Sequence, residues 1–351
     1  HDLQNQFLIR VCAMVTKLGR KAVGWDEVLH PQMPDCVVQN WRGATSRDRA
    51  LALSRPVLVS GPYYLDLHYP ADVHYGFDPE AQQSQWLAQE DALLQDPRLS
   101  HVADGMEWTK HWRKDRVDYQ GEVRVLGGEA CLWAELVNPD VLSTRLYSRL
   151  PAVAERLWSP ASCTDSASMY RRLQGCWRSL PEDPEAVARK KLLAMGFTEA
   201  QLGALCLLEP VKWYGRLLGE EALQARLAGT EMPKARPYHA DTLLNRVVDF
   251  LPPESMPARQ LAELSLLEAA TQVKGHLVPW GEDLLNADDE LRPVLLCLSK
   301  GADLLFAFSA GELSGGQALQ QMQTLAKPQG EYVAAPLISW YAALTELTAA
   351  N

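Results

Sequence analysis

KAVGW (21–25), VVQNW (37–41) and PVLVS (56–60) are the stretches that decide the fold. Each is a short, largely apolar run, and helical spacing lies around them. Residues 3–18 place Phe7, Ile9, Val11, Met14, Val15 and Leu18 at mostly helical intervals, with Gly19 as a stop and Lys17 and Arg20 near the C-terminal end. A second helical stretch falls near 45–54, and a fourth run, VRVLG (123–127), precedes a helical pattern over about 140–158. Short buried strands alternating with helices predict βα units around a parallel sheet. Four such units are about half of a (β/α)8 barrel of roughly 250 residues. A half barrel leaves two parallel edges unpaired, so either an upstream polypeptide completes it or the fold is something else.

From about residue 183 the character changes: eight of the 11 Trp lie before residue 180, and Leu, Ala, Glu and Gln dominate afterwards. Helical patterns recur near 184–194, 199–208, 218–228, 240–250, 257–275, 289–299, 313–326 and 333–349, punctuated by Pro210, Pro252, Pro253, Pro257 and Pro279. Thr198 and Gln201 have capping-box spacing. The expected division is an α/β part over 1–182 and a mostly helical C-terminal domain over 183–351.

Composition narrows the function. With 34 Lys plus Arg against 44 Asp plus Glu the net charge is −10, which argues against nucleic acid as a partner. No apolar run reaches the roughly 18–20 residues of a membrane span. The seven cysteines form no CxxC and no zinc-like pairing with the eight histidines. His1 rather than Met opens the chain and no basic or apolar leader comes after it, as expected of a processed product or a fragment.

Aromatic and acidic residues fall just past the apolar runs. Trp25 and Trp41 end the first two, Tyr63, Tyr64 and Asp66 follow the third, and Trp133 and Glu135 follow the fourth. In a parallel sheet all of them gather at one end. An aromatic-walled pocket with a few carboxylates suits a sugar ring, whose C–H faces pack on indole and whose hydroxyls donate to Asp and Glu; tryptophans at strand ends also serve simply as core. Arg145, Arg149, Glu155 and Arg156 are expected to form ion pairs on the helix after the fourth strand. Glu129 is expected to be a buried hydrogen-bonding residue. LSGGQ (313–317) reads as a turn before a helix, since no G-x-x-x-x-G-K-[ST] accompanies it. His68, His74, His101 and His111, in the long segment 61–122, read as loop histidines.

GWDEV (24–28), VVQNW (37–41), YYLD (63–66), GGEACLWAE (127–135) and RLPAVAERLWSP (149–160) stand in the order and approximate spacing of glycoside hydrolase family 20. The chain resembles the C-terminal half of a bacterial-type β-N-acetylhexosaminidase of that family, over about residues 1–182. LEPVKWYGR (208–216) and LLNRVVDFLPPES (243–255) are more weakly similar to the helical tail of some bacterial members. The resemblance implies strands five to eight of a (β/α)8 TIM barrel, followed by the helical C-terminal domain. It implies removal of terminal β-linked N-acetylglucosamine or N-acetylgalactosamine from an oligosaccharide by substrate-assisted retaining catalysis, without cofactor or metal. Carried over by motif, Trp25, Trp41 and Trp133 enclose the acetamido group and sugar face, Tyr64 holds the acetamido oxygen, Asp66 takes the 6-hydroxyl and Glu135 the 4-hydroxyl. The family's catalytic Asp-Glu pair sits in a GGDE-type motif after the fourth barrel strand, and no such motif occurs here. The upstream half of the same enzyme is therefore the implied partner, and the family slightly favours a periplasmic or secreted location. Two other readings stand beside this one: a non-catalytic N-acetylhexosamine-binding module or pseudo-enzyme, and a displaced acid pair at Asp26 and Glu27, which otherwise order a loop.

Overall fold

The computed structural model describes residues 2–96, 98–99, 110–211, 228–229, 243–281, 284, 287 and 289–349. Four parallel strands, β1 (Ala22–Trp25), β2 (Cys36–Asn40), β3 (Val57–Val59) and β4 (Gly127–Gly128), pair in chain order. The register aligns Trp25 with Gln39, Asn40 with Val59, and Val59 with Gly128. The first three strands fall where the apolar runs place them.

The fourth strand starts later than the expected 123–127. Leu126 donates its N–H to the Val57 carbonyl at 2.8 Å, and only then does pairing begin. Gly128 is needed there, because a Cβ would sit 2.9 Å from Tyr63 Cε2. Pairing then continues past both strands as Tyr64 bridges Cys131 in parallel.

Helix α1 (Asp2–Lys17) precedes β1 and α2 (Ala44–Ala52) follows β2. After β3 come α3 (Ala71–Gly76) and α4 (Gln83–Leu93). The helix expected over 140–158 is instead two, α5 (Leu142–Leu146) and α6 (Leu150–Trp158). Pro151 explains the break: it lacks an N–H and its ring excludes a preceding helical turn, but it fits the first turn of α6. Helix α7 (Ser166–Trp177) completes this part. Its core includes Val38, Val57, Val59, Tyr63, Leu65, Trp86 and Val153.

The remainder is helical: α8 (Pro184–Ala194), α9 (Glu199–Leu205), α10 (Val247–Phe250), α11 (Met256–Ala262), α12 (Leu266–Leu277), α13 (Leu291–Ser309) and α14 (Gly315–Leu325). A last helix, α15 (Ala335–Ala349), follows a short strand. Its core is separate, drawn from residues between Leu192 and Leu344.

Several boundaries correct the sequence reading. An antiparallel pair, β5 (Leu208–Pro210) with β6 (Tyr332–Ala334), occupies the ends of two expected helices. Ser265 splits the expected 257–275 helix, its hydroxyl capping α12 in a box with Glu268. Helix α13 runs through Gly301, where a Cβ would strike Leu337; this glycine serves close packing and is not a stop. Of the 240–250 pattern only α10 is helical among the described residues, and the 218–227 pattern lies outside them.

A polar junction joins the two parts. The guanidinium donors of Arg145 go to the carbonyls of Leu251 and Asp249 at 2.9 and 2.7 Å. Arg149 donates to the carbonyls of Leu65, Leu67 and Tyr69, and Arg156 to those of Ser159, Pro160 and Cys163. Where ion pairs were expected, these arginines donate to backbone carbonyls, because buried carbonyls at strand and loop ends need donors as much as guanidinium needs acceptors. Glu155 does pair, with Arg172. Glu254, buried, accepts the Ala71 N–H at 3.0 Å and pairs with Arg259 at 3.0 Å.

Beside this junction Glu209 on β5 accepts the Ser255 N–H at 2.7 Å. Burial pushes its carboxyl up from 4.5 to about 7, against the pull of Arg259 and the Ser255 N–H. The folded chain then holds a proton that the unfolded chain has released, so this contribution is complete below about pH 4.5 and is lost as pH rises through 7. The urea midpoint of wild type should therefore fall more steeply over that range than that of Glu209→Gln; parallel curves would refute the assignment.

Candidate active site

The site lies beyond the C-terminal ends of β1 to β4. Trp25 closes β1, and its ring centroid lies 5.8 Å from that of Trp133 at 40°. Tyr64 meets Trp133 edge-on at 6.3 Å and 78°. The pairing that outlasts β3 and β4 makes this meeting possible: Leu65 N–H donates to the Cys131 carbonyl at 2.7 Å, and Cys131 N–H to that of Tyr63 at 3.0 Å. Asp66 is fully buried and accepts the Trp133 N–H at 3.3 Å. Trp25, Tyr64, Asp66 and Trp133 therefore form one cluster.

Trp41 and Glu135 stand differently. Trp41 packs edge-on against Trp112 at 5.0 Å, and the Arg42 guanidinium lies 5.0 Å over Trp41 and 5.9 Å over Trp112. Gly61 lets β2 and β3 close up beneath this pair, since a Cβ there would lie 2.8 Å from the Trp41 carbonyl oxygen. Glu135 is exposed on the same end of the sheet.

Asp26 is the anchor of the β1 and β2 ends. Its buried carboxylate accepts the N–H groups of Trp41 and Arg42 at 2.8 and 2.7 Å, the Ser46 hydroxyl at 2.8 Å and the Asn40 amide at 3.2 Å. Burial raises its pKa and these four donors oppose the rise. Glu27 pairs with Arg42 at 2.8 Å and accepts from Trp41 Nε1 at 3.4 Å. Both carboxylates are thus engaged in ordering the loop.

Other expectations resolve plainly. Glu129 is exposed, not buried, because it lies past the strand end; it accepts from Gln39 Nε2 and Ser60 Oγ. His68 and His74 are buried beneath the loop after β3 instead of riding on it. His74 Nδ1 lies 2.6 Å from the Pro62 carbonyl, and burial with Arg149 nearby pushes its pKa down to about 3, leaving it neutral. His111 is exposed, 5.4 Å from the Trp112 ring, while His101 lies outside the described residues. Ser314 caps α14 in a box with Gln317, so LSGGQ is a helix start. The cysteines are free, and among the described residues no group of three or more His, Cys, Asp or Glu could hold a metal ion.

Trp112 and Arg42 were not singled out in the sequence. They border a cleft of about 430 Å³ between the start of α1 and α2, lined also by Glu27, Thr45, Arg49 and Asp115. The aromatic content of segment 61–122 was a signal for Trp112, but its pairing with Trp41 is tertiary.

Residues 1–161 match the catalytic domain of glycosyl hydrolase family 20. Over those residues the chain is similar to that catalytic domain, and its fold is of the TIM-barrel-type α/β class. β-Hexosaminidase subunit beta of Mus musculus is 25% identical over 181 residues, which are 49% of this chain and 27% of that protein. β-Hexosaminidase of Porphyromonas gingivalis is 32% identical over 178 residues, 49% of this chain and 20% of that protein. In fold, the chain is similar to the chitobiase of Flavobacterium johnsoniae, with a TM-score of 0.69 at 20% identity over 98% of this chain and 50% of that one. The chain thus spans no more than about half the length of these relatives.

Asp26→Ala should strip acceptors from two backbone N–H groups, at about 1–3 kcal/mol each for those that stay dry. Urea denaturation of the variant checks this, and an unchanged midpoint would mean that the Asp26 network is dispensable.

Proposed function

We propose that this chain is the C-terminal portion of a β-N-acetylhexosaminidase that hydrolyses terminal β-linked N-acetylglucosamine or N-acetylgalactosamine. The observation that carries the reading is the cluster of Trp25, Tyr64, Asp66 and Trp133, built on successive parallel strand ends. On this reading β1 to β4 are barrel strands five to eight, residues 1–182 are the second half of the catalytic barrel, and 183–351 are a helical C-terminal domain.

The proposed chemistry is substrate-assisted. The 2-acetamido oxygen attacks the anomeric carbon while the glycosidic oxygen leaves, taking a proton from a general acid. Water then opens the resulting oxazolinium with return of a proton to the same residue, and configuration is retained. Tyr64 would donate to the acetamido oxygen and hold it in line. Trp25, Trp41 and Trp133 would wall the acetamido group and exclude water until the leaving group has gone. Asp66 would accept from the 6-hydroxyl and Glu135 from the 4-hydroxyl.

The acid pair would come from an upstream half of the same enzyme. Two features support such a partner. Among the described residues no strand pairs with the outer edge of β1, and Val23 is 55% exposed, although parallel sheets are normally covered. Helix α1 also turns an apolar stripe of Leu3, Phe7, Val11 and Met14 outward, continued by Leu18 in the turn after it, with Leu3 81% and Leu18 78% exposed.

A chromogenic N-acetyl-β-glucosaminide, assayed with intact-mass analysis of the same sample, tests the proposal. A lone 39.1 kDa species should bind N-acetylglucosamine without turnover, and turnover should appear when the upstream half is added. Turnover by the lone chain would place an acid inside it. Failure to restore activity would favour the non-catalytic binding module.

A further inference from the structure

The segment from Tyr64 to Asp72 carries two of the clustered side chains yet belongs to no long element. Its start is fixed by the pairing of Leu65 with Cys131. Beyond that point, Arg149 Nη1 donates to the carbonyls of Leu67 and Tyr69, the latter at 3.0 Å, and Nη2 to those of Leu65 and Arg145. Alternate carbonyls of one stretch, 65, 67 and 69, thus converge on a single guanidinium. The chain bends at 65–67, and the guanidinium holds the carbonyls on the inside of that bend, so it sets how the side chains of Tyr64 and Asp66 are presented. Arg149 is wholly buried, and its guanidinium serves no substrate-facing surface.

The far end is held from the other part of the fold. Ala71, the first residue of α3, gives its N–H to Glu254, 183 residues away in sequence. Glu254 is in turn fixed by Arg259, whose guanidinium stacks 3.6 Å from the Tyr170 ring centroid. Tyr170 completes the circuit by donating to Asp72 at 3.0 Å.

Resting on the sugar-site reading, we infer that Arg149 and Glu254 are positioning residues for Tyr64 and Asp66, so that the helical C-terminal part helps to set the geometry of the sugar site. Neither touches the ligand; both act through the backbone of 64–72.

The experiment is equilibrium titration of the full chain with N-acetylglucosamine, monitored by tryptophan fluorescence, at a temperature where thermal melts show each variant folded. Arg149→Lys keeps a charge but loses the planar fork of donors, and Glu254→Ala releases Ala71. Each should weaken binding roughly tenfold or more, as small displacements of positioning groups do. Glu254→Gln retains an oxygen for the Ala71 N–H and should restore affinity close to wild type. Arg156→Lys is the control, because Arg156 also donates to backbone carbonyls, but to a loop at 159–163 away from the cluster. It should lower the melting temperature and leave affinity unchanged.

Equal weakening in Arg156→Lys would reduce the effect to general destabilisation and overturn the inference. Wild-type affinity in both Arg149→Lys and Glu254→Ala, with binding lost in Tyr64→Phe, would overturn it while leaving the sugar site standing. If Arg149→Lys does not fold, the two Glu254 variants decide alone. A wild-type chain that gives no titration would overturn the sugar-site reading, and this inference with it.

Discussion

The register of four short parallel strands governs what this molecule can present. Because Trp25 lies level with Gln39 and Asn40 and Gly128 flank Val59, the four strands end at nearly one height. The residues just past each strand therefore arrive at a common surface. Strands of two to five residues cannot by themselves aim side chains that lie one to seven residues further on. Three polar anchors extend their reach: the Asp26 carboxylate beneath Trp41 and Arg42, the backbone pairing of Tyr63 and Leu65 with Cys131, and the Arg149 guanidinium under residues 65–69. Each satisfies backbone groups that would otherwise be stranded at the end of a buried sheet. Order in the aromatic cluster is thus a by-product of hydrogen-bond satisfaction.

Much of this was legible in the amino-acid sequence, for identifiable reasons. Strands β1 to β3 are apolar runs next to helical spacing, and local pattern sufficed. Strand β4 is two glycines, Gly127 at φ +142° and Gly128 where a Cβ would strike Leu157 and Tyr63, and glycine carries no hydropathy signal. Strands β5 and β6 are too short to show alternation and are fused to helical patterns. Ser265 and Glu268 spell a capping box inside the expected 257–275 helix, a local signal of the break there. In the cluster, Trp25, Tyr64, Asp66 and Trp133 were legible because position after a parallel strand is itself spatial information. The partner of Trp41 was not, since Trp112 reaches it from the far end of a long connection.

The arginines mark the limit of reading charge as pairing. Arg145, Arg149 and Arg156 lie on or beside two short helices, and their sequence spacing suggests ion pairs. In the fold they are buried, and burial changes which partner is available: carbonyl oxygens at the ends of β3 and in the chain before Glu254 are numerous, fixed and in need of donors. A guanidinium with five donors in a plane can serve several of them at once. The cost is visible in Arg149, which burial and the neighbouring Arg145 push down to about 9.

The contact of Arg145 with the Leu251 and Asp249 carbonyls bears on modularity. The two largest apolar cores are separate, with a small cluster of Met256 against Ala71, Tyr75, Ala152 and Trp177 crossing between them, and by hydropathy the chain invites division near residue 183. Hydrogen bonding draws a different map. Trimming the chain there would take from Arg145, 1% exposed, the Leu251 and Asp249 carbonyls it donates to, and would free the amide at the head of α3. A minimal piece carrying the aromatic cluster cannot be had by cutting at the compositional boundary. The two parts have distinct main cores but are one unit as a circuit of donors and acceptors, and recombination between relatives would have to carry both sides of that circuit together.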